Sequence, residues 1–242
     1  MDNNKILVVG SGGREHTIAW SLSISKNVSK VFVSPGSEGM NNSIIESIGK
    51  MSSQDLIRFV KKNKVILTVV GPEGPLVDGI VNQFRNEGLK IFGPDKFCSN
   101  LEGSKLFARN FMSKYSIPHP KYRECSSKKD VFNAVKFFGY PIVLKADGLA
   151  GGKGVIISKD SLELKVALKY IFEEKSSHSA FKKICVEEYL SGDEVSIFAV
   201  SDGLSYKILG SAQDHKNIYD DDKGPNTGGM GAYSPCPLVS DD

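Results

Sequence analysis

Residues 140–155 read YPIVLKADGLAGGKGV, a short apolar run followed at once by a glycine-rich loop. The apolar run from Pro141 to Lys145 predicts a buried strand. Glycines let a backbone approach phosphate oxygens and turn N–H groups toward them, and Lys145 and Lys153 supply positive charge. The sequence therefore predicts a strand and loop that cradle a polyphosphate. A glycine-rich hairpin between two strands is the alternative.

The loop differs from the P-loop of nucleoside triphosphatases. That motif requires Gly at position 147 and Ser or Thr at position 154. This chain has Asp147 and Gly154 at these positions. We therefore expect a phosphate site of another type.

Composition restricts the class of protein. The chain has 242 residues, of which 40% are hydrophobic and 24% are charged, and this predicts one or two globular domains. The net charge of +3 is spread along the chain, which gives no support to a nucleic-acid or membrane partner. The four cysteines form no CxxC or Cys/His cluster, so we expect free thiols and a cytoplasmic protein.

Residues 1–100 alternate between strand and helix patterns. We predict strands at 5–9, 30–33, 65–70 and 89–92, and helices at 14–25, 55–62 and 77–86. Such alternation is typical of a parallel sheet that is covered on both faces. Ligands of such sheets bind at the carboxyl ends of the strands.

The loop after the first strand reads GSGGREH, residues 10–16, and resembles the dinucleotide fingerprint GxGxxG. Glu15 stands at the third glycine position, where its side chain would crowd the helix against the strand, and no acidic residue ends the second strand. We therefore reject a dinucleotide. A phosphate or ribose phosphate beside Arg14 remains open, and so does a plain turn in which Arg14, Glu15 and His16 are solvated.

A second loop, residues 71–75, holds Glu73 between glycines and prolines. A rigid turn suits a fixed carboxylate that binds a substrate amine or hydroxyl. An ordinary turn residue is the competing interpretation.

Beyond Pro94 the pattern changes. We predict helices at 101–114, 127–138 and 162–173, strands at 141–145, 155–158 and 183–189, and a hairpin of 194–199 with 205–212. The segment 117–120 breaks the chain. Residues 213–237 are too glycine-rich for regular structure and are predicted to be a loop.

Seven motifs in this order resemble the glycinamide ribonucleotide synthetase family of purine biosynthesis, which belongs to the ATP-grasp superfamily. They are GSGGREH at 10–16, GPEGPLVDG at 71–79, LEGSKLFARNFM at 101–112, YPIVLKADGLAGGKGV at 140–155, VEEYLSGDEVS at 186–196, QDHK at 213–216 and GPNTGGMGAYSP at 224–235. The resemblance covers essentially the whole chain. It implies an ATP-dependent ligase that joins glycine to 5-phosphoribosylamine through a glycyl phosphate.

The resemblance also implies which residues bind ATP. Two lysines hold the phosphates, a loop covers them, a segment after a strand reads adenine through its backbone, and a carboxylate takes the ribose hydroxyls. The phosphate-binding lysines are Lys105 and Lys145, and the covering loop contains Gly148, Gly151, Gly152, Lys153 and Gly154. The adenine segment is Glu187, Glu188, Tyr189 and Leu190, and the ribose carboxylate is Glu194.

The substrates glycine and 5-phosphoribosylamine are implied to lie among residues of four loops. The candidates are Gly10, Gly12, Gly13, Arg14, Glu15, Glu73, Asp214, Lys216, Thr227, Gly228 and Gly229. We expect a monomer. A catalytically incomplete ATP-binding module, or an ATP-grasp ligase for another carboxylate and amine, are the alternatives.

The chain departs from the family pattern at two positions. Asn217 stands where Arg is usual, and Gly151 replaces a usual Ala. The family's ligands for magnesium (or manganese) are expected beyond residue 242, so we expect no metal ligands here and no activity from the 242-residue chain alone.

The resemblance predicts four segments. Residues 1–100 form a Rossmann-like N-terminal domain, and 101–120 form a linking helix and the start of the central ATP-grasp part. Residues 121–190 form the ATP-grasp lid, and 191–242 begin an incomplete continuation of the central domain.

Overall fold

The protein is described by a computed structural model that covers residues 4–150, 154–221 and 223–239. It divides into two units, Met1–Phe111 and Met112–Asp242. In the described residues, the helices are too short or too polar to cross a lipid bilayer.

Unit 1 is built on a five-stranded sheet whose pairs are all parallel, in the order β3-β2-β1-β4-β5. Its strands are β1 (Lys5–Gly10), β2 (Lys30–Pro35), β3 (Ile45–Ser47), β4 (Val65–Val70) and β5 (Ile91–Phe92). Its helices are α1 (Gly13–Ser23), α2 (Ser53–Asn63), α3 (Glu73–Val77), α4 (Ile80–Asn86) and α5 (Lys96–Gly103). Neighbouring residues of β1 belong to different apolar clusters, Leu7 with α2 and α4 and Val8 with α1. The predicted parallel sheet is thus confirmed.

Three details of unit 1 differ from the prediction. Strand β3 has only three residues and was missed. The predicted helix 77–86 is interrupted at Gly79, which takes a φ of +87° that other residues rarely adopt. The predicted helix 101–114 is divided at Ser104, whose extended backbone separates α5 from α6 (Lys105–Lys114).

Unit 2 contains a four-stranded antiparallel sheet in the order β6-β9-β7-β8. The strands are β6 (Tyr122–Cys125), β7 (Ile142–Ala146), β8 (Val155–Ser158) and β9 (Ile184–Glu188). Two helices, α7 (Lys128–Phe138) and α8 (Ser161–Lys169), pack against one face of this sheet. Helix α7 begins as predicted, because the Ser127 hydroxyl accepts the N–H of Asp130. A π turn, Tyr170–Glu174, completes the predicted helix 162–173.

The second sheet of unit 2 has three antiparallel strands, β10 (Ser196–Ser201), β11 (Tyr206–Tyr219) and β12 (Lys223–Tyr233). The predicted hairpin is confirmed, with Asp202 accepting the N–H groups of Leu204 and Ser205 in its turn. The predicted loop at 213–237 is wrong, because most of it lies in β11 and β12. Antiparallel ladders join main-chain groups, which glycine also has, and register shifts on both sides of Asn217 absorb the irregular backbone.

Candidate functional site

A cleft of about 460 Å³ lies in unit 2 between the free face of the four-stranded sheet and strand β11. The sheet contributes Val143, Lys145, Val155, Ile157 and Glu187, and the segment after β9 and strand β11 contribute most of the rest. These other residues are Pro120, Glu188, Tyr189, Leu190, Gly192, Asp193, Glu194, Gln213, Asp214, His215, Lys216 and Asn217.

Strand alternation decides which side chains face the cleft. In β7, Ile142 and Leu144 belong to the apolar core, so Val143 and Lys145 point the other way. Val155 and Ile157 of β8 line the cleft and are 41% and 46% exposed. An apolar floor with charged groups at its end suits a ligand that combines a flat ring with anionic groups.

Lys145 forms an ion pair with Glu187 at 2.8 Å. Strands β7 and β9 pair Val143 with Glu187 and Lys145 with Cys185. This register places Lys145 and Glu187 diagonally on one face of the sheet. The Glu187 side chain is only 2% exposed and also accepts the Cys185 thiol at 3.5 Å, while Lys145 keeps 23% exposure. Because an ammonium has three N–H donors, Lys145 is held in place and can still bind a phosphate.

Sequence reasoning missed this role of Glu187, which had been placed in the adenine segment through its backbone. The signal in the sequence is a charged residue near the end of each of two mainly apolar strands, Lys145 in β7 and Glu187 in β9. These two charges can be recognised as partners only when the pairing of β7 with β9 is known. The sequence does not reveal that pairing, because about 40 residues separate the two strands.

The segment after β9 is fixed at its start by Glu188. The Glu188 carboxylate accepts the backbone N–H of Lys121 at 2.8 Å, and the Glu188 N–H donates to the Lys121 carbonyl at 3.0 Å. Tyr189 and Leu190 then leave the sheet, exposed at the cleft.

Lys216 brings together several of the predicted residues. Its ammonium binds the Glu194 carboxylate and lies 3.6 Å from Oδ2 of Asp214. The hydrogen bond with Glu194 raises the pKa of Lys216. Its carbonyl accepts the Thr227 hydroxyl at 2.9 Å, and the Thr227 oxygen accepts the Gly229 N–H at 3.0 Å. A carboxylate predicted to bind ribose is thus connected to β12, which also carries Gly228.

The glycine-rich loop is described only at its two ends, and Gly151, Gly152 and Lys153 lie outside the described residues. A Cβ on Gly148 would lie 2.9 Å from the Cβ of Ala180, and one on Gly154 would lie 2.7 Å from that of Ala150. The Gly154 carbonyl also accepts the Ala146 N–H at 2.7 Å. Both ends are therefore packed closely enough to require glycine.

Asn217, the departure from the family pattern, lies on β11 and lines the cleft. Its side-chain amide donates to the Gly224 carbonyl at 3.0 Å. The residue joins β11 to β12 where the ladder is irregular.

The predicted residues of unit 1 lie at the carboxyl ends of β1 and β4. Glu15 is buried and accepts the Gly12 N–H at 2.7 Å, so the alternative in which it is solvated is wrong. Arg14 donates to the Gly71 carbonyl at 2.9 Å. Glu73 is exposed in the first turn of α3.

Three other predicted residues of this unit lie at the ends of strands or helices. Gly10 ends β1 and Gly13 begins α1. Lys105 begins α6, with its ammonium 3.5 Å from the Glu102 carboxylate.

In the described part of the chain, no group of three or more His, Cys, Asp or Glu side chains could hold a metal ion. Two acidic residues of the cleft are engaged by lysines, Glu187 by Lys145 and Glu194 by Lys216.

Comparison with known proteins gives consistent results along the chain. Residues 4–102 match the family model for the phosphoribosylglycinamide synthetase N domain, and residues 103–242 match that for its ATP-grasp (A) domain. A phosphoribosylamine–glycine ligase from Clostridium acetobutylicum is 45% identical over 98% of this chain and 58% of its own length. One from Halalkalibacterium halodurans is 45% identical over 98% of this chain and 55% of its own length.

A crystal structure of phosphoribosylamine–glycine ligase from Thermotoga maritima matches with a TM-score of 0.78 and 31% identity, over 97% of this chain and 56% of that one. The predicted combination of a parallel-sheet N-terminal part with an ATP-grasp fold is confirmed. The chain spans a little over half the length of these relatives.

Proposed function

Since the chain belongs to the phosphoribosylglycinamide synthetase family, we propose that the protein ligates glycine to 5-phosphoribosylamine at the expense of ATP. The products are glycinamide ribonucleotide, ADP and phosphate. The observation that carries this proposal is the Lys145–Glu187 pair at the end of an apolar cleft floor.

The cleft suggests how ATP binds. Adenine lies against Val155 and Ile157, with its edge on the backbone of Tyr189 and Leu190. Glu194 takes the ribose hydroxyls once it leaves Lys216, and Lys145 binds the phosphates. Preorganisation supports this arrangement, because a lysine already held by a buried carboxylate needs little reordering to meet an anion.

The chemistry has two steps. A carboxylate oxygen of glycine attacks the γ-phosphorus of ATP, the bond to the bridging oxygen breaks, and ADP leaves. The amine nitrogen of phosphoribosylamine then attacks the glycyl carbonyl carbon, phosphate leaves, and the amine proton passes to phosphate or water. We propose that Asp214, Lys216, Thr227 and the backbone of Gly229 orient glycine.

Two further assignments belong to the same proposal. Residues 121–190 act as a lid whose loop, from Gly148 to Gly154, closes over the phosphates. Gly13, Arg14 and Glu73 of unit 1 bind the phosphoribosyl substrate.

Calorimetry with ATP tests the nucleotide site. Lys145→Ala should weaken ATP binding by about tenfold or more, because a charge-assisted hydrogen bond contributes roughly 1.5 to 3 kcal/mol. Lys128→Ala is the matched control, since Lys128 forms an ion pair of similar length, 2.7 Å, with Glu173 on the helical side. Equal affinities of the two variants would refute the assignment of Lys145.

An assay of ADP release tests the reaction. In a form that spans the full length of the relatives, sustained ADP release should require both glycine and phosphoribosylamine, because the glycyl phosphate must be consumed before the next turnover. The Clostridium acetobutylicum relative serves as the positive control. ATP binding without glycine-dependent ADP release would favour a nucleotide-binding module over a ligase. Release that another carboxylate stimulates more than glycine would point to a different ATP-grasp ligase.

A further inference from the structure

Glu15 fills a notch at the carboxyl end of the parallel sheet. It lies in the first turn of α1 and is 5% exposed. A Cβ on Gly10 would lie 2.2 Å from the Glu15 Cγ, and one on Gly71 would lie 2.1 Å from its Oε1. The side chain therefore occupies the space between the end of β1 and the loop after β4, and this space exists because both flanking residues are glycines.

The carboxylate also uses a donor that could serve a bound anion. Its Oε2 accepts the Gly12 N–H at 2.7 Å, at the N-terminus of α1. Free N–H groups and the helix dipole make such a position favourable for phosphate. Here a carboxylate of the chain itself takes that position. The neighbouring Arg14 holds the same two loops together by donating to the Gly71 carbonyl.

Glu15 lies where the order of the strands reverses direction along the chain. In the order β3-β2-β1-β4-β5, the chain proceeds from β1 to one side through β2 and returns to the other side through β4. The crevice between β1 and β4 is the topological switch point, where sheets of this kind bind the pyrophosphate of a dinucleotide.

We propose that Glu15 is a specificity-determining residue that acts as a built-in substitute for a ligand phosphate. It holds the loops after β1 and β4 together without a ligand. Its side chain also fills the notch between Gly10 and Gly71, and its volume excludes the pyrophosphate of a dinucleotide from that notch. The inference goes beyond the proposed ligase reaction and does not depend on it.

Thermal unfolding in the presence of anions tests the inference. Glu15→Ala should unfold at a lower temperature than the wild type, because it leaves the Gly12 N–H without its acceptor and opens a cavity. Millimolar pyrophosphate should raise the Tm of this variant by about 4 °C or more, relative to sodium chloride of equal ionic strength. The wild type, in which only the proposed phosphate site of unit 2 is open to pyrophosphate, should show a clearly smaller rise.

Two variants serve as controls. Asp55→Ala removes a carboxylate from the same position of helix α2, where the side chain bonds to Ser52, and pyrophosphate should raise its Tm no more than that of the wild type. Glu15→Gln keeps the volume and an acceptor for Gly12, and it should resemble the wild type. Equal anion effects on wild type and Glu15→Ala would overturn the proposal.

A second measurement needs no variant. Hydrogen exchange in wild-type peptides that cover residues 5–17 and 71–79 should be unchanged by pyrophosphate or by NAD. Slower exchange in both peptides would show that the edge accepts a pyrophosphate despite Glu15, and would refute the inference even if Glu15→Ala failed to fold.

Discussion

Replacing Lys145 by methionine should destabilise unit 2 strongly. Methionine keeps the apolar stem of lysine but removes the ammonium that pairs with the Glu187 carboxylate, which is 2% exposed. Removing one partner of a buried ion pair costs about 3 to 5 kcal/mol. Because Lys145 retains 23% exposure, water can partly replace the ammonium, and we expect a loss near the lower value, about 3 kcal/mol.

Hydrogen exchange measured by mass spectrometry reports this loss where it occurs. Amides of β7 and β9 that exchange through global opening should exchange about 100-fold faster in Lys145→Met, since each 1.4 kcal/mol corresponds to a factor of ten. Lys128→Met is the matched control. It breaks an exposed pair with Glu173 and should cost less than about 1 kcal/mol. Similar exchange rates in the two variants would refute the reasoning.

A double-mutant cycle separates the pair from packing. Glu187→Gln removes the buried charge, so Lys145→Met combined with Glu187→Gln should be more stable than the sum of the single effects predicts, by more than about 1 kcal/mol. Additive effects would mean that the ion pair is not the source of the loss.

Three further predictions concern the loop and two ionisable groups. Hydrogen exchange of the peptide covering residues 148–154 should slow when ATP binds, and unchanged exchange with bound ATP would argue against a phosphate-covering loop. Burial raises the pKa of the Cys125 thiol to about 11, so at pH 8.5 iodoacetamide should modify the exposed Cys98 first, as peptide mapping would show. The hydrogen bond with Glu194 raises the pKa of Lys216. The stabilisation that Lys216 gains from Glu194 is therefore complete below the unfolded pKa of 10.5 and is lost as pH rises through the higher folded value. Glu194→Gln should remove this part of the pH dependence of Tm. The same pH dependence in wild type and Glu194→Gln would contradict the prediction.

Local patterns were sufficient for much of the fold. The apolar run of β1 and the Ser127 cap of α7 depend on neighbours within a few residues, and both were predicted. Strand β12 was missed because glycines carry no side-chain pattern, although their main chain pairs with β11. The period of a sequence reports burial of side chains, and it cannot report a ladder of backbone hydrogen bonds.

The candidate site divides in the same way. The position of Lys145 at the end of a buried strand, directly before a glycine-rich segment, could be predicted, because residue types and spacing are local. The partner of Lys145 could not, since it comes from β9 through strand pairing. Glu15 was predicted to crowd the helix against the strand, and the structure shows how this is resolved, by glycines at positions 10 and 71.

The four-stranded sheet of unit 2 separates the apolar core from the cleft, so successive residues of one strand face the core and the cleft in turn. This alternation determines how the protein tolerates mutation. In a saturation library, β7 should show a phenotype with a period of two. Polar substitutions at Ile142 and Leu144, which are fully buried, should lower the amount of folded protein in the cell. Substitutions at Val143, which is 9% exposed and lines the cleft, should lower that amount less and should alter nucleotide affinity. Lys145 should do both, because the same side chain neutralises an interior carboxylate and faces the ligand, so selection for stability and selection for binding act there on a single residue.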